Sequence, residues 1–160
     1  LMIACAMTGV NFTACGPSDL FPKAELVEKA KEIAKRQGCT VSLDSNVDTA
    51  VKGADVLYTD IWVSMGEPDE IWEKRIKLLS PYQVNRRVMD LASPNAIFLH
   101  CLPSFHDRKT TIGEDIYKKF GIPEMEVTDE VFTSDRSLVF EEAENRMHTI
   151  KAVMVATLGD

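Results

Sequence analysis

Two apolar, β-prone runs in this sequence end on side chains that could do chemistry. Val-Leu-Tyr-Thr at 56–59 is followed by Asp60, and Ile-Phe-Leu at 97–99 is followed by His100, Cys101, Leu102 and Pro103. In open parallel sheets, ligands bind outside the carboxyl ends of the strands, so residues just past such runs are where a site is expected. Asp60 reads equally as an aspartate capping the next turn or as a carboxylate that holds an ammonium group. Cys101 by itself reads as a small buried hydrophobe, and a place beside the strand end of Asp60 would make it a reactive thiol. Arg146 lies at the edge of a stripe made by Ala143, Met147, Ile150, Met154 and Thr157. There it either snorkels to water or turns into a cleft to grip an anion with paired N–H donors. His100, Cys101 and His106 find no fourth ligand at a convincing spacing, so no metal is expected. Trp62 and Trp72 read as packing residues.

These residues need elements to hold them, and the pattern supplies an alternation of strands and helices. The opening residues read as the tail of an apolar helix stopped by Gly9, so the chain starts in mid-element. VNFTAC, CTVSL, ADVLYT and AIFLH read as four strands. A helix is expected from about Pro22 to Gln37 with Leu26, Val27, Ala30, Ile33 and Ala34 inward, and a short one around Val47 to Val51. Residues 61–68 form a loop, and Asp69 starts a helix facing inward through Trp72, Ile76 and Leu79. Ser80 and Pro81 are read as cap and first position of a further helix that buries Val84, Val88 and Leu91. Beyond Cys101 the chain is irregular to about Phe132 except for a helix near Gly113 to Phe120, and a long helix closes it from about 137 to 158. The fold class expected is α/β: three layers, with a mainly parallel, twisted sheet of at least four strands flanked by helices.

Bulk properties narrow the partners. The net charge of −7, without a basic run, argues against nucleic acid. No apolar run approaches the roughly 20 residues of a membrane span and no leader opens the chain, so a soluble protein of the cytoplasm is expected. The four cysteines have no C-x-x-C spacing and read as reduced thiols. No strand is followed by G-x-G-x-x-G, which removes the cradle a nucleotide-binding half would need.

Four segments together carry a resemblance. Asp55 to Glu67 (DVLYTDIWVSMGE), His100 to Asp107 with its HCLP turn, Met125 to Phe132 (MEVTDEVF) and Glu144 to Ala152 (ENRMHTIKA) resemble ornithine carbamoyltransferases, in order and at similar spacing, across essentially the whole chain. The resemblance implies the carboxy-terminal, ornithine-binding domain, over 1–160 with its first strand absent. The final helix would pack back toward an amino-terminal carbamoyl-phosphate domain, whose Ser-Thr-Arg-Thr-Arg motif this sequence lacks. By matching position, Asp60 and the Ser64 hydroxyl would bind the α-ammonium of ornithine, and the Met65 backbone its carboxylate. Cys101 and Leu102 would lie beside the reacting δ-amine and carbamoyl group, with Cys101 as a thiolate stabilised by nearby positive charge, and Arg146 would contact carbamoyl phosphate. Asp60 and Cys101 would be the catalytic pair.

The implied reaction moves the carbamoyl group of carbamoyl phosphate to ornithine, giving citrulline and phosphate in arginine metabolism, without metal or organic cofactor. A homotrimer is implied for the whole enzyme, and the chain alone is expected to be inactive. The alternatives are a carbamoyltransferase for another amine and an inactive ornithine-binding module. Proline stands at the Cys101 position in aspartate carbamoyltransferases, and the Ser64-Met65-Gly66 loop fits ornithine better than putrescine.

Overall fold

A computed structural model describes residues 1–64 and 66–159. The chain divides into two compact units, Leu1–Lys52 and Gly53–Asp160. In the first, α1 (Met2–Met7) runs into Gly9, whose φ of 77° turns the chain toward β1 (Phe12–Cys15). Helix α2 (Ala24–Gln37) has Glu25 in its first turn and Lys35 and Arg36 in its last, each complementing the helix dipole, and Gly38 ends it at φ 74°. Its buried residues are Val27, Ala30 and Ala34, spaced three and four apart; Leu26, expected inside, is 44% exposed because it lies outside that narrow stripe. β2 (Val41–Asp44) pairs in parallel with β1, Phe12 against Val41, and α3 (Val47–Ala50) follows with Asn46 as its cap. Met2, Ala6, Val27, Ala30, Ala34, Cys39 and Val41 form the core of this unit.

The second unit contains β3 (Val56–Thr59), α4 (Asp69–Leu79), α5 (Arg86–Leu91), β4 (Ile97–His100), α6 (Thr111–Phe120), α7 (Asp129–Phe132) and α8 (Val139–Leu158). β3 and β4 are parallel, with Val56 opposite Ile97 and Thr59 opposite His100. Trp72 and Ile76 of α4 pack with Val63, Phe105, Ile116 and Met125, and Trp72 stacks on Phe120 with ring centres 6.1 Å apart. Arg136 donates to the carbonyls of Ala96, Ser93 and Met89 at 2.8, 3.0 and 3.2 Å, which fastens the entry to β4.

The fold class is α/β with parallel strands, as expected. Among the described residues the ladders are two pairs, β1 with β2 and β3 with β4, and a single sheet of four strands is not seen. Three local readings change. Ser80 belongs to the end of α4, where its hydroxyl donates to the Ile76 carbonyl, and with Pro81 it makes a 3-10 turn over Ser80–Tyr82. The next helix starts six residues later, because Asn85 accepts from the Val88 N–H at 3.1 Å and is the true cap. Val84, expected inside that helix, instead makes an isolated parallel bridge to Val127. The stripe of α8 is also different: Met147 and Met154 are each 52% exposed and Ile150 49%, and among the described residues of this helix only Val139 is buried. The helix is held by its first turns against β4, where Leu138 N–H donates to the Phe98 carbonyl at 3.0 Å, and its apolar remainder has no core beneath it. No helix among the described residues is long and apolar enough to cross a membrane.

Candidate functional site

The register of the second ladder makes the site. Thr59 stands opposite His100, so the next residues, Asp60 and Cys101, leave their strands side by side although 41 positions separate them. The Cys101 thiol donates to Asp60 Oδ1 at 3.0 Å, and the same oxygen accepts from the Ile61 N–H at 2.8 Å. A cavity of about 420 Å³ opens here, with Tyr58, Cys101, Leu102, Glu142, Asn145 and Arg146 on its wall. Arg146 reaches it from α8, one helical turn after Glu142.

The charge state of Cys101 departs from the expectation. Burial, followed by the hydrogen bond to Asp60 and that carboxylate's charge, pushes its thiol up to about 11; a hydrogen bond from Tyr58 works weakly the other way. The nearest ionisable partner of the sulfur is an acid and not a cation, so the resting form is a thiol that donates, in place of the expected thiolate. The Tyr58 phenol is likewise raised, first by burial and then by Glu142.

Behind Cys101 lies a buried pair that the sequence reading did not single out. His100 and Glu126 are 1% and 0% exposed, and His100 Nε2 lies 3.1 Å from Glu126 Oε1 while Nδ1 faces the Cys101 carbonyl oxygen. A carbonyl can only accept, so Nδ1 carries hydrogen, and a second proton must lie in the Nε2–Oε1 contact. The same Oε1 accepts from the Phe105 N–H at 2.7 Å and the Ser104 hydroxyl at 3.2 Å. Glu126 thereby fixes the turn 101–105 whose first residue is Cys101. The signal available in the sequence was an acid inside the apolar stretch Met125–Val127, which is costly to bury unless it is paired.

Of the residues singled out, Asp60, Cys101, Leu102 and Arg146 come together at this end of β3 and β4. Ser64 is exposed on the following loop, where its carbonyl accepts from the Glu67 N–H at 3.3 Å, and Met65 lies outside the described residues. His106 is drawn away from the cavity: its Nδ1 lies 2.8 Å from Asp129 Oδ1 and its ring stacks on Phe132 at 3.5 Å. His106, Asp107 and Asp129 offer ligand atoms within 4.8 Å of one another, but the Lys109 ammonium lies 3.0 Å from Asp107 Oδ2 and already supplies positive charge there.

Comparison with known proteins gives the family to which the chain belongs. The family model for the aspartate/ornithine carbamoyltransferase Asp/Orn-binding domain matches residues 1–157. The chain is 67% identical over 158 residues to a catabolic ornithine carbamoyltransferase of Treponema denticola, covering 99% of this chain and 47% of that protein. It is 58% identical to an ornithine carbamoyltransferase of Staphylococcus aureus, covering 100% and 48%. Among solved structures, the ornithine carbamoyltransferases of Gloeobacter violaceus and Pyrococcus furiosus superpose with a TM-score of 0.80 each, at 33% and 36% identity, covering 99% and 96% of this chain but 46% and 44% of theirs. The chain thus spans about half the length of the relatives it matches. By its sequence over residues 1–157, it belongs to the family of the Asp/Orn-binding domain of aspartate/ornithine carbamoyltransferases.

Proposed function

We propose that this chain is the ornithine-binding part of an ornithine carbamoyltransferase. The observation that carries the reading is the hydrogen bond between Asp60 and Cys101, with Cys101 on the wall of a cavity that Arg146 also lines. In this reading Asp60 and the Ser64 hydroxyl receive the α-ammonium of ornithine, the Met65 backbone helps to place the carboxylate, and the side chain runs toward Cys101 and Leu102. The δ-amine, with a pKa of about 10.4 as in lysine, must lose a proton before it can attack. Its nitrogen then bonds to the carbonyl carbon of carbamoyl phosphate, the C–O bond to phosphate breaks, and Arg146 with donors of the second domain balances the charge on the tetrahedral oxyanion and the departing phosphate. The products are citrulline and phosphate, and no metal or organic cofactor enters.

With an ammonium docked on Asp60, the carboxylate's pull on the Cys101 proton is shared with a cation, and the thiol is freer to orient the incoming amine. The whole enzyme in this reading is a cytoplasmic homotrimer of arginine metabolism. Residues 1–160 belong to its amino-acid-binding domain. The exposed Met147, Ile150 and Met154 support the packing of α8 against an amino-terminal carbamoyl-phosphate domain.

The phosphate-binding set is not supplied by these residues, so the chain by itself does not turn over. Loss of a single oxyanion donor costs about a hundred- to a thousandfold, and here the facing wall is lost as well. The test is citrulline formation by the purified chain, alone and mixed with a separately made amino-terminal domain. Activity only in the mixture is expected. Robust turnover by the chain alone refutes the division of labour, and an inert mixture that also fails to bind ornithine refutes the function.

A further inference from the structure

Glu142 has no part in the reading above, yet it sits where three pieces of the site meet. Its Oε2 accepts from the backbone N–H of His100 at 3.0 Å, at the last residue of β4. Tyr58 from β3 stands on the same cavity wall as Glu142 and Cys101. Four residues on, one turn and about 6 Å along α8, is Arg146, also on that wall.

The rest of α8 offers little other restraint. Beyond Val139 its apolar residues are exposed, so the first turns must fix how the helix lies on the strands. A carboxylate accepting from a backbone N–H makes the stronger, charge-assisted kind of hydrogen bond. We propose that Glu142 is a positioning residue of this site: it ties the first turns of α8, and with them Arg146, to the strand ends that carry Asp60 and Cys101. The charged groups facing Cys101 are then Asp60 from the end of β3 and Glu142 and Arg146 from α8, with the Tyr58 phenol as their neutral neighbour.

The proposal rests on the proposed function for its kinetic consequence and is independent of it for its thiol chemistry, so both are measured. Glu142→Ala and Glu142→Gln are made in the full-length enzyme. The readouts are apparent KM for carbamoyl phosphate, kcat, melting temperature and the pH midpoint of Cys101 alkylation, followed by peptide mass spectrometry. Glu142→Ala raises the KM for carbamoyl phosphate by about tenfold or more, the order expected for losing charged hydrogen bonds that orient an anion's partner. Glu142→Gln keeps an acceptor oxygen for the His100 N–H and recovers most of that loss, while both variants lower the alkylation midpoint because a negative charge has gone. A scaffold role alone would move stability without separating Gln from Ala. Equal KM values in Glu142→Ala and wild type, or an alkylation midpoint unmoved in Glu142→Gln, overturns the proposal. If the wild-type enzyme makes no citrulline the function has failed, and the alkylation midpoint still decides the place of Glu142.

Discussion

Replacing Glu126 by alanine should be among the most damaging single changes to this chain, and the structure says by how much. The side chain is fully buried and one oxygen receives His100 Nε2, the Phe105 N–H and the Ser104 hydroxyl at 3.1, 2.7 and 3.2 Å. Truncation strands these donors. The Phe105 N–H and the buried imidazole each cost about 1–3 kcal/mol when left unmade, while the half-buried Ser104 hydroxyl can turn to water at little cost. The expected loss is about 3–5 kcal/mol, the range seen when one partner of a buried ionisable pair is removed. Set against a total of about 5–15 kcal/mol, it takes a large fraction of the stability of the domain. In urea unfolding, with a slope of about 1–3 kcal/mol per molar, the midpoint should fall by about 2 M. Glu126→Gln should cost less, since its oxygen can still accept from Phe105, but its amide hydrogens gain no acceptor in an apolar pocket. A fall of under about 0.5 M for the alanine variant, with an unchanged slope, would refute the account of this carboxylate as the fastener of the 101–105 turn.

Other outcomes follow from the same geometry. With its thiol raised from the usual 9.0 to about 11, Cys101 should react with iodoacetamide at pH 8 about a hundredfold more slowly than an ordinary exposed cysteine, since only the thiolate attacks. Asp60→Asn removes both the charge and part of the hydrogen bonding that hold the proton, so alkylation of Cys101 should accelerate; a rate equal to wild type would contradict the pairing. Asn85→Ala should cost about 1 kcal/mol by thermal melting, as the loss of a helix cap does, with no change at Cys101. Gly113→Ala would set a methyl carbon against the Asp107 backbone carbonyl at the start of α6, and a melting temperature equal to wild type would show that the turn yields more easily than its packing suggests.

What could be read in advance followed physical locality. Each of the four strands is an apolar run that stops at a polar or turn residue, and the positions after β3 and β4 were legible as a site because that boundary is written in adjacent residues. Helix ends were harder. Ser80 next to Pro81 has the chemistry of a start, and only the hydroxyl's bond back to Ile76 shows that it closes the previous helix. The His100–Glu126 pair and Glu142 were out of reach because their partners lie 26 and 42 residues away, and nothing local to an acid says whether it will be buried. The thiolate reading erred for a related reason: a sequence lists charges but not which of them will stand next to sulfur. The apolar stripe of α8 was read as facing inward, and the structure leaves it exposed, because periodicity marks a face without saying what covers it.

The parallel register of β3 on β4 also sets which length changes this protein can absorb. The 41-residue separation of Asp60 and Cys101 contains α4, α5 and their connections, yet the distance between the two groups is set by the ladder alone. Lengthening that excursion costs only loop-closure entropy, about 0.6 kcal/mol per doubling. One residue inserted within 56–60 would instead turn every later side chain of β3 to the opposite face and carry the carboxylate away from the thiol. Diversity among relatives should therefore gather in the connecting excursion, while the five residues ending at Asp60 keep a fixed count.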